Sequence, residues 1–372
     1  MRELLNSNRK YSETSPMKSA RRGWSALCAA VLTACALGCS DGDGGADAAA
    51  DTQSAAPKFK TATTTFADGA LLSVAAGDDS DVWIVGGEKG KAVALRYDGT
   101  KWHRHDPPLK QQLWWVHRFG QEDVVVVGES GSVALYSGAT WTVVPTDDTG
   151  TTYFGAWGSS HDDFWMVGGP WVRAPTGLET QKLVLRHVVK GKVEKVDVSG
   201  VVAATSQSLF KVWGRAANVL HVVGDGGTAL RYDGTKWAKE ETGLVGVVLF
   251  TVTGDTDNAW AIGGFGQGQM IHRDNKGAWQ SVELADEAPS TLQGISAASG
   301  DVWVSGWDGY VARLRDGKWV EPPTGTEHAL HAVSVSASGA VWAVGGDIQT
   351  LQDDYTGSVV TTAASVAQVP AK

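Results

Sequence analysis

Cysteine is almost missing from this chain. The three present, Cys28, Cys35 and Cys39, all fall within the first 39 of 372 residues. No disulfide framework can staple whatever folds downstream. Long apolar runs are scarce too. The run from Trp24 to Ala34 is too short for a membrane-spanning helix, which needs about 20 residues. Positive charge is also in short supply. The net charge is −9, and residues 1–39 contribute +4, so residues 40–372 carry −13. A body this acidic lacks the clustered Lys and Arg that neutralise phosphates, which argues against a nucleic-acid partner. Catalytic signatures are missing as well. There is no His-Glu-x-x-His and no Gly-x-Ser-x-Gly. Gly86 to Lys91 lacks Walker spacing, and Gly264 to Gly268 lies between strands rather than opening a helix. No cofactor is expected.

What the chain does have is glycine, 46 residues, and tryptophan, 17. Many short apolar runs with many tight turns suggest many strands. The phrase Asp81-Val82-Trp83-Ile84-Val85-Gly86-Gly87 recurs at 163–169, 258–264, 301–306 and 340–346. Weaker copies end at Gly128, with Val125 in the Trp place, and at Gly224, with His221 there. From glycine to glycine the gaps are 42, 40, 56, 39, 43 and 39 residues. A period of this size marks one supersecondary unit repeated. Each unit offers four strands. Asp-Gly turns such as Asp98-Gly99 suit the tight hairpin between the third and the fourth. Ala94 to Trp102 reappears unchanged as Ala229 to Trp237, which shows internal duplication.

The expected fold is all-β: a seven-bladed propeller of four-stranded antiparallel blades, with six or eight blades as alternatives. Repeats are placed near 66–108, 109–149, 150–200, 201–243, 244–289, 290–328 and 329–368, within a propeller spanning 58–368. The strand Phe59 to Phe66 is expected to pair with the last unit and close the ring. The periodic tryptophans, Trp83, Trp165, Trp260, Trp303 and Trp342 with the hairpin set Trp102, Trp141, Trp237, Trp279 and Trp319, are read as packing between sheets. The long third gap places an insertion near Pro170 to Pro175.

Arg21 and Arg22 precede the apolar run, as in a secretory signal. The run ends Leu32-Thr33-Ala34-Cys35, which resembles the bacterial lipobox. The resemblance implies a signal peptide over 1–34, with the true start at Met17 as an option, and a lipid on Cys35. Cys39 is the alternative. Residues 35–57 hold almost no large apolar side chain and read as an acidic tether.

The repeats resemble Kelch repeats in their Gly-Gly, Tyr97 and Trp102, with a shorter Tyr-to-Trp spacing. Asp98 to Trp102 resembles the Asp-box of sialidase-type propellers, with the spacing wrong. The whole chain is most similar to Trp-rich propeller lipoproteins on Gram-negative cell surfaces. That resemblance implies a binding or scaffold role, outside the cytoplasm, for a protein or polysaccharide. It carries over no catalytic residue. A glycoside hydrolase or lyase at the channel mouth, and an assembly factor for an envelope complex, remain open. A monomer held to the membrane by its lipid is expected, most simply at the outer membrane or cell surface.

Past the leader, three tryptophans remain outside the periodic positions and their near-equivalents: Trp115, Trp171 and Trp307. With Asp308 they are the ligand-binding candidates, because exposed loop aromatics commonly build such sites. His103, His105 and His117 are near one another in sequence, but no metal site is expected from them. Arg104, Arg118, Arg173 and Arg215 are the arginines a sialidase-like mouth would draw on.

Overall fold

The computed structural model describes residues 56–88, 90–170, 183–202, 206–348 and 355–370. The leader expected over 1–34, Cys35, Cys39 and nearly all of the tether lie outside the described residues.

Seven four-stranded antiparallel sheets follow one another around a common axis. Blades 1 to 6 span residues 70–104, 113–143, 152–195, 209–240, 249–281 and 292–320. Within each, chain order is sheet order, so the first strand is innermost and the fourth outermost. Blade 7 breaks this rule. Its three inner strands are Leu330–Val335, Val341–Gly346 and Gly357–Thr361, and its outermost strand is Lys60–Phe66. The ring is therefore closed by the first strand of the propeller, as the sequence suggests. Lys60 pairs with Thr361 and Phe66 with Gly357. The chain end then covers the exposed edge of Lys60–Phe66. The Val369 amide donates to the Ala62 carbonyl, and the Trp102 indole donates to the Ala367 carbonyl. An uncovered edge strand invites pairing with other chains, so this cover matters for solubility.

Burial explains why alternation fades in the middle of each blade. Val341–Gly346 is buried at every position, because a second strand has a neighbouring blade on both faces. Lys192–Lys195, an outermost strand, is mostly exposed. Each of seven apolar clusters draws on two adjacent blades, one cluster per interface.

The tryptophans set the volume of those interfaces. Trp342 of blade 7 is fully buried and meets Tyr97 and Trp102 of blade 1, with ring centroids 5.7 and 6.0 Å away. Trp83 meets Tyr136 and Trp141 of blade 2 in the same way, and Trp165 meets Tyr232 and Trp237 of blade 4. The exceptions compensate one another. Blade 2 has Val125 in place of the tryptophan, and blade 3, which faces it, has Val193 in place of the hairpin tryptophan. Blade 7 has no hairpin tryptophan, and Phe59 meets Trp303 instead, at 6.4 Å.

Candidate functional site at the channel mouth

The mouth is built by one irregularity repeated in every blade. The innermost strand pairs regularly with the second strand until one residue bulges out. The register skips between Leu71 and Ser73, Leu113 and Trp115, Tyr153 and Gly155, and Leu209 and Lys211. It skips again between Leu249 and Thr251, Leu292 and Gly294, and Leu330 and Ala332. The residue before each bulge is fully buried and pairs with the glycine that marks the repeat. Two of those glycines show why. A Cβ on Gly86 would sit 2.0 Å from the Ala70 carbonyl oxygen, and one on Gly345 would sit 1.8 Å from that of Ala329. The periodic glycine thus lets the backbone close in where the strand bulges.

The bulged residues are Leu72, Trp114, Phe154, Phe210, Phe250, Gln293 and His331. Four of them touch in sequence around the axis. Trp114 meets Phe154 at 5.4 Å, Phe154 meets Phe210 at 4.9 Å, and Phe210 meets Phe250 at 5.5 Å. Side chains from equivalent positions in successive blades can touch on both sides only where blades converge, at the axis. Phe265, in the connection after the second strand of blade 5, adds a fifth ring at 5.0 Å from Phe250. It is 39% exposed, a large fraction for a phenylalanine, while Trp114, Phe210 and Phe250 are half-buried. The result is an aromatic arc over blades 2 to 5.

Beyond the arc, blades 6 and 7 bring polar side chains to the mouth, and blade 1 brings the buried Leu72. The Gln293 side-chain oxygen is buried without a hydrogen-bond partner among the described residues. His331 Nε2 lies 3.0 Å from the Gly346 carbonyl oxygen, to which it donates. Burial lowers the His331 pKa to about 4, so the ring is neutral at physiological pH and Nδ1 is an acceptor.

Each bulge falls at the start of its strand, and so do the connections that arrive from the preceding blade. The mouth therefore opens on the face that carries the blade-to-blade connections and those between second and third strands. On the same face an open groove of about 660 Å³ is lined by Glu287, Asp308, Tyr310, Glu321, Pro322 and Glu327, among others. The Tyr310 hydroxyl donates to Glu321 at 2.8 Å.

The sequence candidates divide among these features. Asp308 is exposed, has a left-handed φ of 58°, and lines the groove. Trp307 is half-buried beside it, in the loop of blade 6 that corresponds to the Phe265 loop of blade 5, and its amide donates to the Thr291 carbonyl. Trp171 and Arg173 lie outside the described residues. Trp115 is on an innermost strand rather than a loop. Its indole donates to the Ala156 carbonyl, and the Lys211 ammonium sits 3.5 Å from its ring centre. Lys211 reaches it across Gly155, where a Cβ would come within 3.0 Å of the lysine stem. Burial pushes the Lys211 pKa well below the usual lysine range, and its ammonium donates to the Phe154 carbonyl.

The histidines are not brought together. His103 and His105 are 6.0 Å apart, whereas His117 is tied to Gly158 of blade 3. Among the described residues no group of three or more His, Cys, Asp or Glu is placed to hold a metal. The arginines are spent on separate ties. Arg104 pairs with Asp68 and Asp106, Arg118 with the buried Asp81, and Arg215 with the Thr256 carbonyl. A second cavity, between blades 4 and 5 on the other face, measures about 40 Å³, room for little beyond a water molecule.

The axial residues were not foreseen, apart from the strands that carry them. Their signal is a doublet at the start of each innermost strand, as in Leu113-Trp114, Tyr153-Phe154, Leu209-Phe210 and Leu249-Phe250. Two large apolar residues in succession break the two-residue period and mark a bulge.

No protein-family profile and no curated protein sequence matches the chain. Solved structures do. A streptogramin B lyase is 13% identical with a TM-score of 0.63, covering 81% of this chain and 96% of the other. YCF48 bound to D1 peptide is 14% identical at 0.57, over 84% and 100%. The WD40 propeller of Doa1 is 14% identical at 0.59, over 83% and 100%. At this identity the likeness is one of fold, the β-propeller.

Proposed function

We propose that the protein is a lipid-anchored, extracytoplasmic binding module that holds a protein segment over the channel mouth. The observation that carries this is the aromatic arc from Trp114 to Phe265, in which Phe265 is exposed, Trp114, Phe210 and Phe250 are half-buried and Phe154 is buried among them. Partly exposed rings gathered at a concave mouth are typical of binding sites. A glycosidase needs a pair of carboxylates about 5–10 Å apart; the seven axial residues offer none, and the carboxylates of this face line the groove beside the mouth. YCF48, a propeller of similar fold, has a structure with peptide bound, which supports the peptide reading. The lipobox at Leu32 to Cys35 supplies the address.

Site-specific crosslinking tests the binding face. A photo-reactive residue at position 265 should capture an envelope protein in living cells. The same residue at position 276, on the opposite face, should not. Equal capture at both positions, or none at 265, would remove the mouth as the binding site. The anchor has its own test. Cys35→Ser should release the protein from the membrane fraction or leave it unprocessed. Membrane retention with no acyl group on Cys35 or Cys39 would sink the anchor.

A further inference from the structure

The two sides of the mouth differ in chemistry, and the groove beside it has one sign of charge. Together they specify a ligand more narrowly than "a protein segment". The arc of Phe210, Phe250 and Phe265 offers ring faces and edges, which favour an aromatic partner in stacked or edge-on contact. Next to Phe250 around the axis, on blade 6, Gln293 has a buried side-chain oxygen with no donor among the described residues, and on blade 7 His331 Nδ1 is an acceptor in the neutral ring. A buried polar atom without a partner is costly, so a ligand that brings a donor there gains by satisfying it. The groove on the same face is lined by four carboxylates, Glu287, Asp308, Glu321 and Glu327, and among the described residues no Lys or Arg joins its lining. Trp307 ties the two together. Its amide is bonded to Thr291, two residues before Gln293, and it directly precedes Asp308.

We propose that the mouth takes one tyrosine or tryptophan side chain from a cationic peptide segment. The ring sits against Phe210, Phe250 and Phe265, its hydroxyl or indole N–H points towards Gln293, and flanking Lys or Arg side chains lie over the acidic groove. This rests on the peptide-binding reading above and narrows it. Charge complementarity selects the partner and speeds encounter, while the ring supplies the anchoring contact.

The test uses short peptides on the full chain, followed by calorimetry. The probe Ac-Lys-Lys-Tyr-Lys-Lys-amide should bind saturably and weaken as salt rises. Replacing its tyrosine by alanine should weaken binding by about tenfold or more, and by phenylalanine by less, as expected for loss of one ring contact or one hydrogen bond. A version with glutamates for lysines should not bind. Phe265→Ala, at an exposed position that does not threaten folding, should reproduce the alanine-peptide loss. Glu321→Gln with Glu327→Gln should remove most of the salt dependence. Equal binding of the tyrosine and alanine peptides, or of the lysine and glutamate peptides, overturns the proposal. So does failure of every peptide. If crosslinking at 265 survives in that last case, the binding module stands and only the ligand class is wrong. If the crosslink is also absent, both fall.

Discussion

The second-strand position and the bulge position of each blade are built by the same pair of strands, and they have diverged differently. The second-strand series is Trp83, Val125, Trp165, His221, Trp260, Trp303 and Trp342. Where it departs from tryptophan, the facing blade can depart with it, as Val193 does opposite Val125. The bulge series is Leu72, Trp114, Phe154, Phe210, Phe250, Gln293 and His331: four successive aromatic residues, two polar ones and one leucine. Neighbours between blades constrain the first series to one volume. The second faces the axis, where its members touch one another rather than fill a sealed interface between sheets. A position that repeats its residue is serving the fold, and one that keeps its backbone while varying its residue is free to serve a ligand.

The largest break in this comparison comes from the closing strand. Deleting residues 57–66 removes the outer strand of blade 7 and its bonds to Thr361, Val360, Val359 and Gly357. The truncated protein should aggregate or unfold without cooperativity, because a bare edge is left. Removing residues 40–56 should leave the melting curve unchanged. Light scattering during the melt separates the two, and equal silence from both would mean the strand does not hold the ring. Next in size is the interface itself. Trp342→Ala empties a fully buried site between Tyr97 and Trp102, and should cost roughly 3–5 kcal/mol in urea denaturation. Trp260→Ala should cost less, since that tryptophan is only half-buried.

The sequence made the wall legible and left the mouth obscure, for a physical reason. Tryptophan and glycine recur at the interfaces because one packing problem is solved seven times, so period, blade count and closing strand could all be read. The glycines were visible as markers, but their cause, the close approach of Ala70 or Ala329 beside a bulge, exists only in three dimensions. Trp115 shows the limit from the other side. Lying off the period, it looked like a loop aromatic. It is instead held by Ala156 and Lys211 across the gap left by Gly155.

That lysine gives the third prediction, smaller and of opposite sign. Lys211 is buried, with the Phe154 carbonyl and the Trp115 ring as company. Its folded pKa lies below the unfolded value of 10.5 because burial disfavours the charge. Between those two values the unfolded chain binds the proton and the folded one does not, so stability should rise with pH across that window. Below the folded pKa the full penalty is present. Lys211→Met fills the same space without a charge and should stabilise the protein by roughly 1–3 kcal/mol, the usual cost of burying a polar group. The alkaline rise in melting temperature should flatten in the variant. A destabilised Lys211→Met with an unchanged pH profile would show that the ammonium, held by Phe154 and Trp115, is a net support.

The smallest expected effect on stability is the one that separates mouth from wall most sharply. Phe265 is an aromatic residue in contact with another, as Trp342 is, and on residue type alone the two look alike. Their surroundings differ. Trp342 is sealed between two blades, whereas Phe265 is 39% exposed and its one ring contact is Phe250. Truncating an exposed side chain leaves no cavity, so Phe265→Ala should move the urea midpoint by no more than about 0.5 kcal/mol in stability. Binding at the mouth should suffer far more, because the arc then loses the ring that reaches furthest towards solvent. A single variant with native stability and lost binding would place Phe265 with the ligand. Should Phe265→Ala instead unfold the protein at a midpoint close to that of Trp342→Ala, the arc belongs to the packing of the ring, and the division between the two series of positions dissolves.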